Sequence, residues 1–94
     1  MLLSRKMLAT GCVQGVGFRA FVCKVGASLK LVGFAKNLHN GSVEIVAEGE
    51  KEILDTFAKR ITVKQPFGMN IETLEVLEEK KIPSRSYASF SVAH

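Results

Sequence analysis

Hydrophobic and polar residues alternate over residues 3–13, which predicts a β-strand at the start of the chain. One face of this strand carries Met7, Ala9, Gly11 and Val13. The period then changes from two to 3.6, which predicts a helix over residues 19–30. Its apolar stripe follows the spacing i, i+3, i+4, i+7 and i+11 and is formed by Phe18, Phe21, Val22, Val25 and Leu29.

The middle of the chain predicts a β-hairpin followed by a second helix. Residues 31–37 and 41–48 have strand character, and Asn40-Gly41 supplies a suitable turn. An apolar stripe at helical spacing predicts a helix over residues 51–63, with Pro66 and Gly68 as stop signals. The stripe consists of Ile53, Leu54, Phe57, Ala58 and Ile61.

Two more strands are predicted after the second helix. Residues 71–77 form one of them, and Ile71 and Leu74 break its alternation, which indicates a β-bulge or a shifted register. The charged residues 78–81 are interpreted as a solvated turn. A last short strand is marked by Ala88, Phe90 and Val92.

The resulting order, βαββαβ with a short strand at the end, predicts an α+β fold. Strands that face helices on one side only favour an antiparallel sheet with two helices packed on one face, a ferredoxin-like α/β sandwich. No linker, repeat or shift in composition interrupts the sequence, so residues 1–94 are expected to form a single domain. The fold alone assigns no activity.

Composition places the chain among globular proteins and narrows the classes of site. It has 94 residues, of which 47% are hydrophobic, yet no apolar run approaches the ~20 residues that span a bilayer. Arg5 and Lys6 interrupt the apolar start before a signal-peptide core can form. Cys12 and Cys23 are too few for a structural zinc site and are expected to be reduced thiols. We therefore expect a cytoplasmic protein without a metal.

The basic residues are concentrated in the first half of the chain. The six before Glu44 are accompanied by no acidic residue, whereas seven basic and nine acidic residues follow, and the net charge is +4. This asymmetry favours an anionic ligand. A nucleic acid would satisfy the same charge pattern, so the charge alone does not decide between the two.

A glycine-rich segment connects the first strand with the first helix and ends at Arg19. It allows three interpretations. The first is a tight structural turn. The second is a dinucleotide-binding loop, because Gly15-x-Gly17-x-x-Ala20 fits that pattern, although an acidic residue ~20 positions later is missing. The third is a small phosphate-binding loop, which fits best: the helix lacks a polar N-cap, and Arg19 offers a planar set of donors that matches phosphate.

Two segments resemble the signatures of the acylphosphatase family. Residues 11–19 (GCVQGVGFR) resemble the first signature, and residues 33–43 (GFAKNLHNGSV), followed by Gly49, resemble the second. The resemblance extends over essentially the whole chain. It implies an enzyme that hydrolyses small acyl phosphates to a carboxylate and orthophosphate, without a metal, a cofactor or a covalent intermediate.

The resemblance also implies roles for individual residues. Arg19 and Asn37 would be catalytic: Arg19 would bind the phosphoryl group, and Asn37 would orient the attacking water. An amide suits the second task, because it both accepts and donates hydrogen bonds and adds no negative charge. The phosphate-binding loop would be formed by the backbone N–H groups of Gln14, Gly15, Val16, Gly17, Phe18 and Arg19. The expected ligands are a small acyl phosphate and inorganic phosphate. The protein is expected to be a monomer, and binding to membranes or to nucleic acid is not expected.

Residues near these signatures are given plainer interpretations. Lys36 is expected on the opposite face of its strand from Asn37. His39 is interpreted as a solvated loop residue and Cys12 as a half-buried strand thiol. Lys30 stands where many relatives have glycine, and this puts the end of the first helix in question. Other departures from the family pattern are Phe34, Gln65 and Met69.

Two alternatives to a stand-alone enzyme stay open at the level of sequence. One is a non-catalytic module of the same fold that binds an anion or RNA, although the strands lack the interleaved aromatic residues on which bases stack. The other is a domain within a larger carbamoyl-transfer machine.

Overall fold

A computed structural model describes residues 1–15, 17–63, 65 and 68–94 of the chain. It confirms the predicted order of elements. These are β1 (Leu2–Cys12), α1 (Phe18–Ser28), β2 (Val32–Asn37), β3 (Val43–Glu50), α2 (Lys51–Val63), β4 (Asn70–Lys81) and β5 (Phe90–Ala93). The predicted helix stop at Pro66 lies outside the described residues. Of the helices in the described ranges, none has the length and apolar character needed to cross a membrane.

The five strands form one sheet in the order β4-β1-β3-β2-β5. The antiparallel pairing predicted from the sequence is confirmed for β1 to β4. The last strand differs: β5 runs parallel to β2, with Gly33 opposite Phe90 and Lys36 opposite Ala93, so the complete sheet is mixed. The ferredoxin-like fold with two helices on one face is confirmed.

The core lies between the sheet and the two helices. Side chains of β1 alternate between buried and half-buried along most of the strand, as the period of two predicts. α1 packs on β2 and β5, and α2 packs on β1 and β3. The largest fully buried side chains include Phe18 of α1, Phe57 of α2 and Met7 of β1.

β4 is longer than predicted. The interpretation of residues 78–81 as a solvated turn is wrong, because the strand continues to Lys81, which lies opposite Leu3 of β1. An edge strand keeps one side in water, so charged residues can continue it without the apolar alternation that marks an inner strand. The predicted irregularity is confirmed by two register shifts, at Lys6/Met7 and at Thr10/Gly11 of the partner strand.

A buried arginine fastens this edge strand to α2. Arg5 is only 6% exposed and points to the helical side of the sheet. Its Nη2 atom lies 2.7 Å from Oε1 of Glu79 and 3.0 Å from Oδ1 of Asp55. Since its charge is used in these ion pairs, Arg5 adds little to the positive potential that the sequence suggested for the first half of the chain.

The C-terminal end of α1 keeps an ordinary helix-capping geometry although Lys30 stands there in place of glycine. The amide of Leu31 donates to the carbonyl of Gly26 at 2.9 Å, and the amide of Lys30 donates to that of Ala27 at 3.0 Å. This is a Schellman motif, whose left-handed position is usually a glycine. Here Lys30 occupies it with a φ of 61°. The helix therefore ends in the ordinary way, but with a residue that is strained there.

Candidate active site

The segment between β1 and α1 is shaped by glycines in the left-handed region. Gly15 has a φ of 73°, and Gly17, the N-cap of α1, has a φ of 82°. Among the residues that the structure describes, no side chain caps the helix, and the first turn contains no acidic residue. The backbone N–H groups at this end are thus left available, together with the positive end of the helix dipole. Both properties favour an anion.

A cavity of about 170 Å³ opens beside this helix end. Arg19 and Asn37 supply its charged and amide groups, and Gly15 and Gly17 supply backbone. The remaining described lining residues are apolar: Val13, Phe18, Ala20 and Val92. None of the lining residues that the structure describes carries a carboxylate, so nothing among them repels an anion.

Arg19 is the second residue of α1 and is half-buried at the cavity. Its Nη1 atom donates a hydrogen bond to the carbonyl oxygen of Ala93 at 3.1 Å. The last strand thus fixes one side of the guanidinium group. One turn further along α1, burial raises the pKa of the Cys23 thiol, against smaller opposing effects from a backbone hydrogen bond to Ala35 and from the charge of Arg19.

Asn37 is the last residue of β2 and lines the same cavity. It shares a face of the strand with the buried Ala35, whereas Lys36 is exposed, as the alternation predicted. The Oδ1 atom of Asn37 is buried and has no hydrogen-bond partner among the residues that the structure describes. An unpaired buried acceptor costs about 1–3 kcal/mol. Such an acceptor indicates that a bound ligand or a water molecule donates a hydrogen bond at this position.

Gln14 has a side-chain role that the sequence analysis missed. Its Nε2 atom donates two hydrogen bonds, to the carbonyl oxygens of Leu38 and Ser42, each at 2.8 Å. These carbonyls belong to the tip of the β2–β3 hairpin, where the amide of Leu38 in turn donates to the carbonyl of Ser42. The glycine segment and the strand that carries Asn37 are therefore tied together by one side chain. No local pattern in the sequence signals this contact, because the partners are 24 and 28 residues away.

Other candidate residues lie at the edges of the site or outside it. Val16, predicted as part of the phosphate-binding loop, lies outside the described residues. His39 is exposed at the hairpin tip, which confirms the solvated loop position. Cys12 is exposed and donates to the carbonyl of Gly68 at 3.5 Å, so the expected half-buried position is wrong. Within the described ranges, no three His, Cys, Asp or Glu side chains come together in a metal-binding group.

Comparison with known proteins gives a consistent result. Residues 5–92 match the family model for acylphosphatase. An acylphosphatase of Bacillus velezensis is 38% identical over 93 residues, which cover 99% of this chain and 100% of the relative. One from Vibrio vulnificus is 39% identical over 87 residues, 93% of this chain and 92% of the relative. The crystal structure of acylphosphatase from Bacillus subtilis superposes with a TM-score of 0.87 at 34% identity and covers all of both chains.

Proposed function

The chain belongs to the acylphosphatase family, which hydrolyses acyl phosphates, and we propose that it does so by direct attack of water on the phosphoryl group. Arg19 and the backbone amides of residues 14–19 hold that group, and Asn37 orients the water. The observation that carries this assignment is the buried, unpartnered Oδ1 atom of Asn37 in the cavity that Arg19 also lines.

Asn37 suits the attacking water for two reasons. Its free Oδ1 atom accepts a hydrogen bond from the water, which satisfies an acceptor that is otherwise unpaired. An amide also brings no negative charge close to the dianionic phosphoryl group, as a carboxylate would. The acceptor is already in place before the substrate binds, which is the preorganisation expected for electrostatic catalysis.

Arg19 suits the phosphoryl group. Its guanidinium is a permanent cation whose planar donors match two phosphate oxygens. The contact of Nη1 with Ala93 restrains the side chain before binding, so less side-chain entropy is lost in the complex. The uncapped first turn of α1 adds backbone donors to the same anion.

The reaction needs no acid on the leaving group, because a carboxylate departs readily without protonation. The water oxygen forms a bond to phosphorus while the bond between phosphorus and the acyl oxygen breaks. The electron pair of that bond stays on the carboxylate, and a proton of the water passes to the phosphate. Hydrolysis of one acyl phosphate dianion thus gives one carboxylate and one dihydrogen phosphate ion. Positioning and charge stabilisation account for the catalysis.

We also propose that residues 1–94 act as one cytoplasmic domain and as a monomer, without a metal or a cofactor. Free thiols at Cys12 and Cys23 support a reducing compartment. The exposed edge strand β4 supports the monomer, because its acidic and basic side chains oppose pairing with another strand. It carries Glu72, Glu75, Glu78, Glu79, Lys80 and Lys81.

Binding of nucleic acid is not favoured by the open face of the sheet. Phe34 and Tyr87 do form an edge-to-face pair there, with ring centroids 5.7 Å apart. However, the shallow depression beside them contains Glu44 and Glu78 as well as lysines. The two carboxylates offset the charge of the two lysines, so this face lacks the net positive charge that attracts a phosphate backbone.

Hydrolysis of benzoyl phosphate in the presence of EDTA, followed by ultraviolet absorbance, tests the proposed function. We expect turnover that resists the chelator and falls on the order of 10²–10³-fold in Arg19→Ala. Arg85→Ala, which removes an exposed arginine outside the cavity, is the matched control and should keep the parent rate. Equal activity in Arg19→Ala and Arg85→Ala would refute the assignment of the site.

A further inference from the structure

A second and larger cavity, of about 560 Å³, lies in the groove between the two helices. Its volume falls within the range of ~300–1,000 Å³ that is usual for small-molecule sites. The groove is lined by Phe21, Val25, Thr56, Lys59, Arg60 and Val63. The lysine and arginine are exposed, so they contribute their aliphatic stems to the walls and keep their charges in water. The groove is therefore mainly apolar.

The groove begins one helical turn from the proposed phosphate site. Gly17 lines the phosphate cavity, and Phe21, four residues later on the same face of the helix, lines the groove. Four residues of α-helix correspond to a rise of only ~6 Å. Ala20, an exposed residue, adds a small apolar side chain to the wall of the phosphate cavity.

Met69 places an apolar side chain beside the start of α1. Its Cε atom lies 3.6 Å from the position that a Cβ atom on Gly17 would occupy. The sequence departs from the family pattern at this residue, and a methionine is long and flexible enough to adapt to an apolar chain. On the wall of the groove that α2 forms, Val63 is 65% exposed, so burial in the core does not account for this apolar side chain.

We propose that the groove between α1 and α2 receives the acyl chain of the substrate, so that the preferred substrates are acyl phosphates with an extended apolar chain. The inference rests on the proposed function, because it takes the phosphoryl group to be held at Arg19. The occupant follows from the lining: apolar walls favour an aliphatic chain over the hydrophilic acyl groups of small metabolites. The short separation between Gly17 at the phosphate cavity and Phe21 at the groove allows one substrate to reach both, and Met69 lies next to Gly17.

The experiment compares hydrolysis of acetyl, butyryl, hexanoyl and octanoyl phosphate by the parent protein. Full burial of a methylene contributes about fourfold in affinity, and the groove is open on one side, so we expect about twofold in kcat/KM per methylene. From butyryl to octanoyl phosphate the gain is on the order of tenfold. It should be expressed mainly in KM, because the acyl chain binds equally in the ground state and the transition state.

Val63→Glu tests the groove without disturbing the core. The substitution puts a carboxylate on the wall of the groove at an exposed position, and it should abolish the gain with chain length while acetyl phosphate turnover stays at the parent value. Val76→Glu is the matched control, because this valine is 53% exposed on β4 and lies outside the groove. It should keep the gain.

Inhibition by analogues that are not hydrolysed gives a second readout of chain binding in the groove. Octylphosphonate should inhibit hydrolysis of acetyl phosphate more strongly than methylphosphonate, and Val63→Glu should remove the difference. A flat dependence on chain length, or one that Val63→Glu leaves intact, overturns the inference while turnover of acetyl phosphate still upholds the proposed function. Failure to hydrolyse any acyl phosphate refutes both.

Discussion

The two helices of this protein begin and end in contrasting ways. α2 follows β3 directly, carries Glu52 in its first turn and Arg60 in its last, and so complements its own dipole. Gln65 then donates hydrogen bonds to the carbonyl oxygens of Ile61 and Thr62 at its end. α1 has none of these features at its start, where a left-handed glycine stands in the N-cap position without a side-chain hydrogen bond.

α1 is also strained at its other end, where Lys30 adopts a φ of 61°. A missing N-cap costs about 1 kcal/mol, and a non-glycine residue in the left-handed region costs ~1–2 kcal/mol. α2 is stabilised at its ends by its own residues. Within the described ranges, the start of α1 has no such residues, and a ligand that binds there would stabilise it. A helix end with poor local stability is thus an end at which a bound anion can supply the missing stabilisation.

The largest effect is expected at Asn37, next to the open end of α1. Asn37→Ala should lower kcat on the order of 10²–10³-fold and leave the affinity for inorganic phosphate nearly unchanged, because the proposed role of the amide is to orient the attacking water. The free energy of unfolding should stay the same or rise, since a buried unpaired acceptor is removed. Kinetics and urea unfolding measure the two quantities. Asn70→Ala, at an exposed amide, is the control, and a loss of stability in Asn37→Ala would contradict the interpretation.

Inorganic phosphate should stabilise the protein through α1 alone. At a phosphate concentration of 100 times Kd, the free energy of unfolding should rise by about 2.7 kcal/mol. Urea unfolding with phosphate or with chloride at equal ionic strength measures this gain. Arg19→Ala should abolish it, whereas Glu52→Gln, in the first turn of α2, should keep it. A gain that survives in Arg19→Ala would place the anion elsewhere.

Two glutamines allow a matched comparison of the helices. Gln14 and Gln65 each donate two hydrogen bonds to backbone carbonyls, one beside α1 and the other at the end of α2. Each Gln→Ala substitution should lower the free energy of unfolding by about 1–2 kcal/mol. Only Gln14→Ala should also lower kcat, by roughly tenfold, because it frees the hairpin that positions Asn37. Equal kcat values in the two variants would show that Gln14 has no positioning role.

Relief of strain at the end of α1 should produce a smaller gain. Lys30→Gly should raise the free energy of unfolding by about 1 kcal/mol, since glycine adopts the left-handed conformation without a steric penalty. Thermal unfolding and turnover measured together provide the check. Activity should remain at the parent value, because Lys30 lies at the opposite end of α1 from Arg19. Lys24→Gly, in the middle of the same helix, should instead destabilise the protein.

The smallest effect is expected at Asp55 on the surface of α2. The hydrogen bond from Lys51, together with Arg5, lowers the pKa of the Asp55 carboxyl below its ordinary value. The ionised form therefore stabilises the fold at pH values above the unfolded-state pKa of about 4, and this contribution disappears as the pH falls through the lower folded-state pKa. Asp55→Asn should be less stable than the parent at pH 7. Unfolding curves of the two should converge in acid, and a difference that grows there would contradict the sign.

Much of the fold could be predicted because its signals are local. The apolar stripe from Phe18 to Leu29 and the alternation in β1 depend only on the period of the chain, and they fixed the elements to within a few residues. The positions of Arg19 and Asn37 beside one cavity were likewise expected from two motifs that resemble a known family. These are the parts of the molecule in which neighbouring residues carry the information.

The contacts that escaped prediction join distant segments. Arg5 is 74 residues from Glu79, so the continuation of β4 could not be recognised from a charged tail that looks like a turn. The parallel pairing of β5 with β2 depends on which edge of the sheet is free after the other strands have paired. The two hydrogen bonds of Gln14 depend on the hairpin tip folding back onto the glycine segment. The periodicity of the sequence contains no information on these long-range contacts.

The hydrogen bond from Arg19 to Ala93 has a consequence for the timing of activity during synthesis. Ala93 is added 74 residues after Arg19, which corresponds to about 4–15 s at ~5–20 residues per second. During that interval the guanidinium lacks the carbonyl that holds it. Any phosphate affinity that depends on this restraint appears only when β5 has joined the sheet. The restraint on Arg19 is therefore coupled to the folding of a strand that is synthesised 74 residues later.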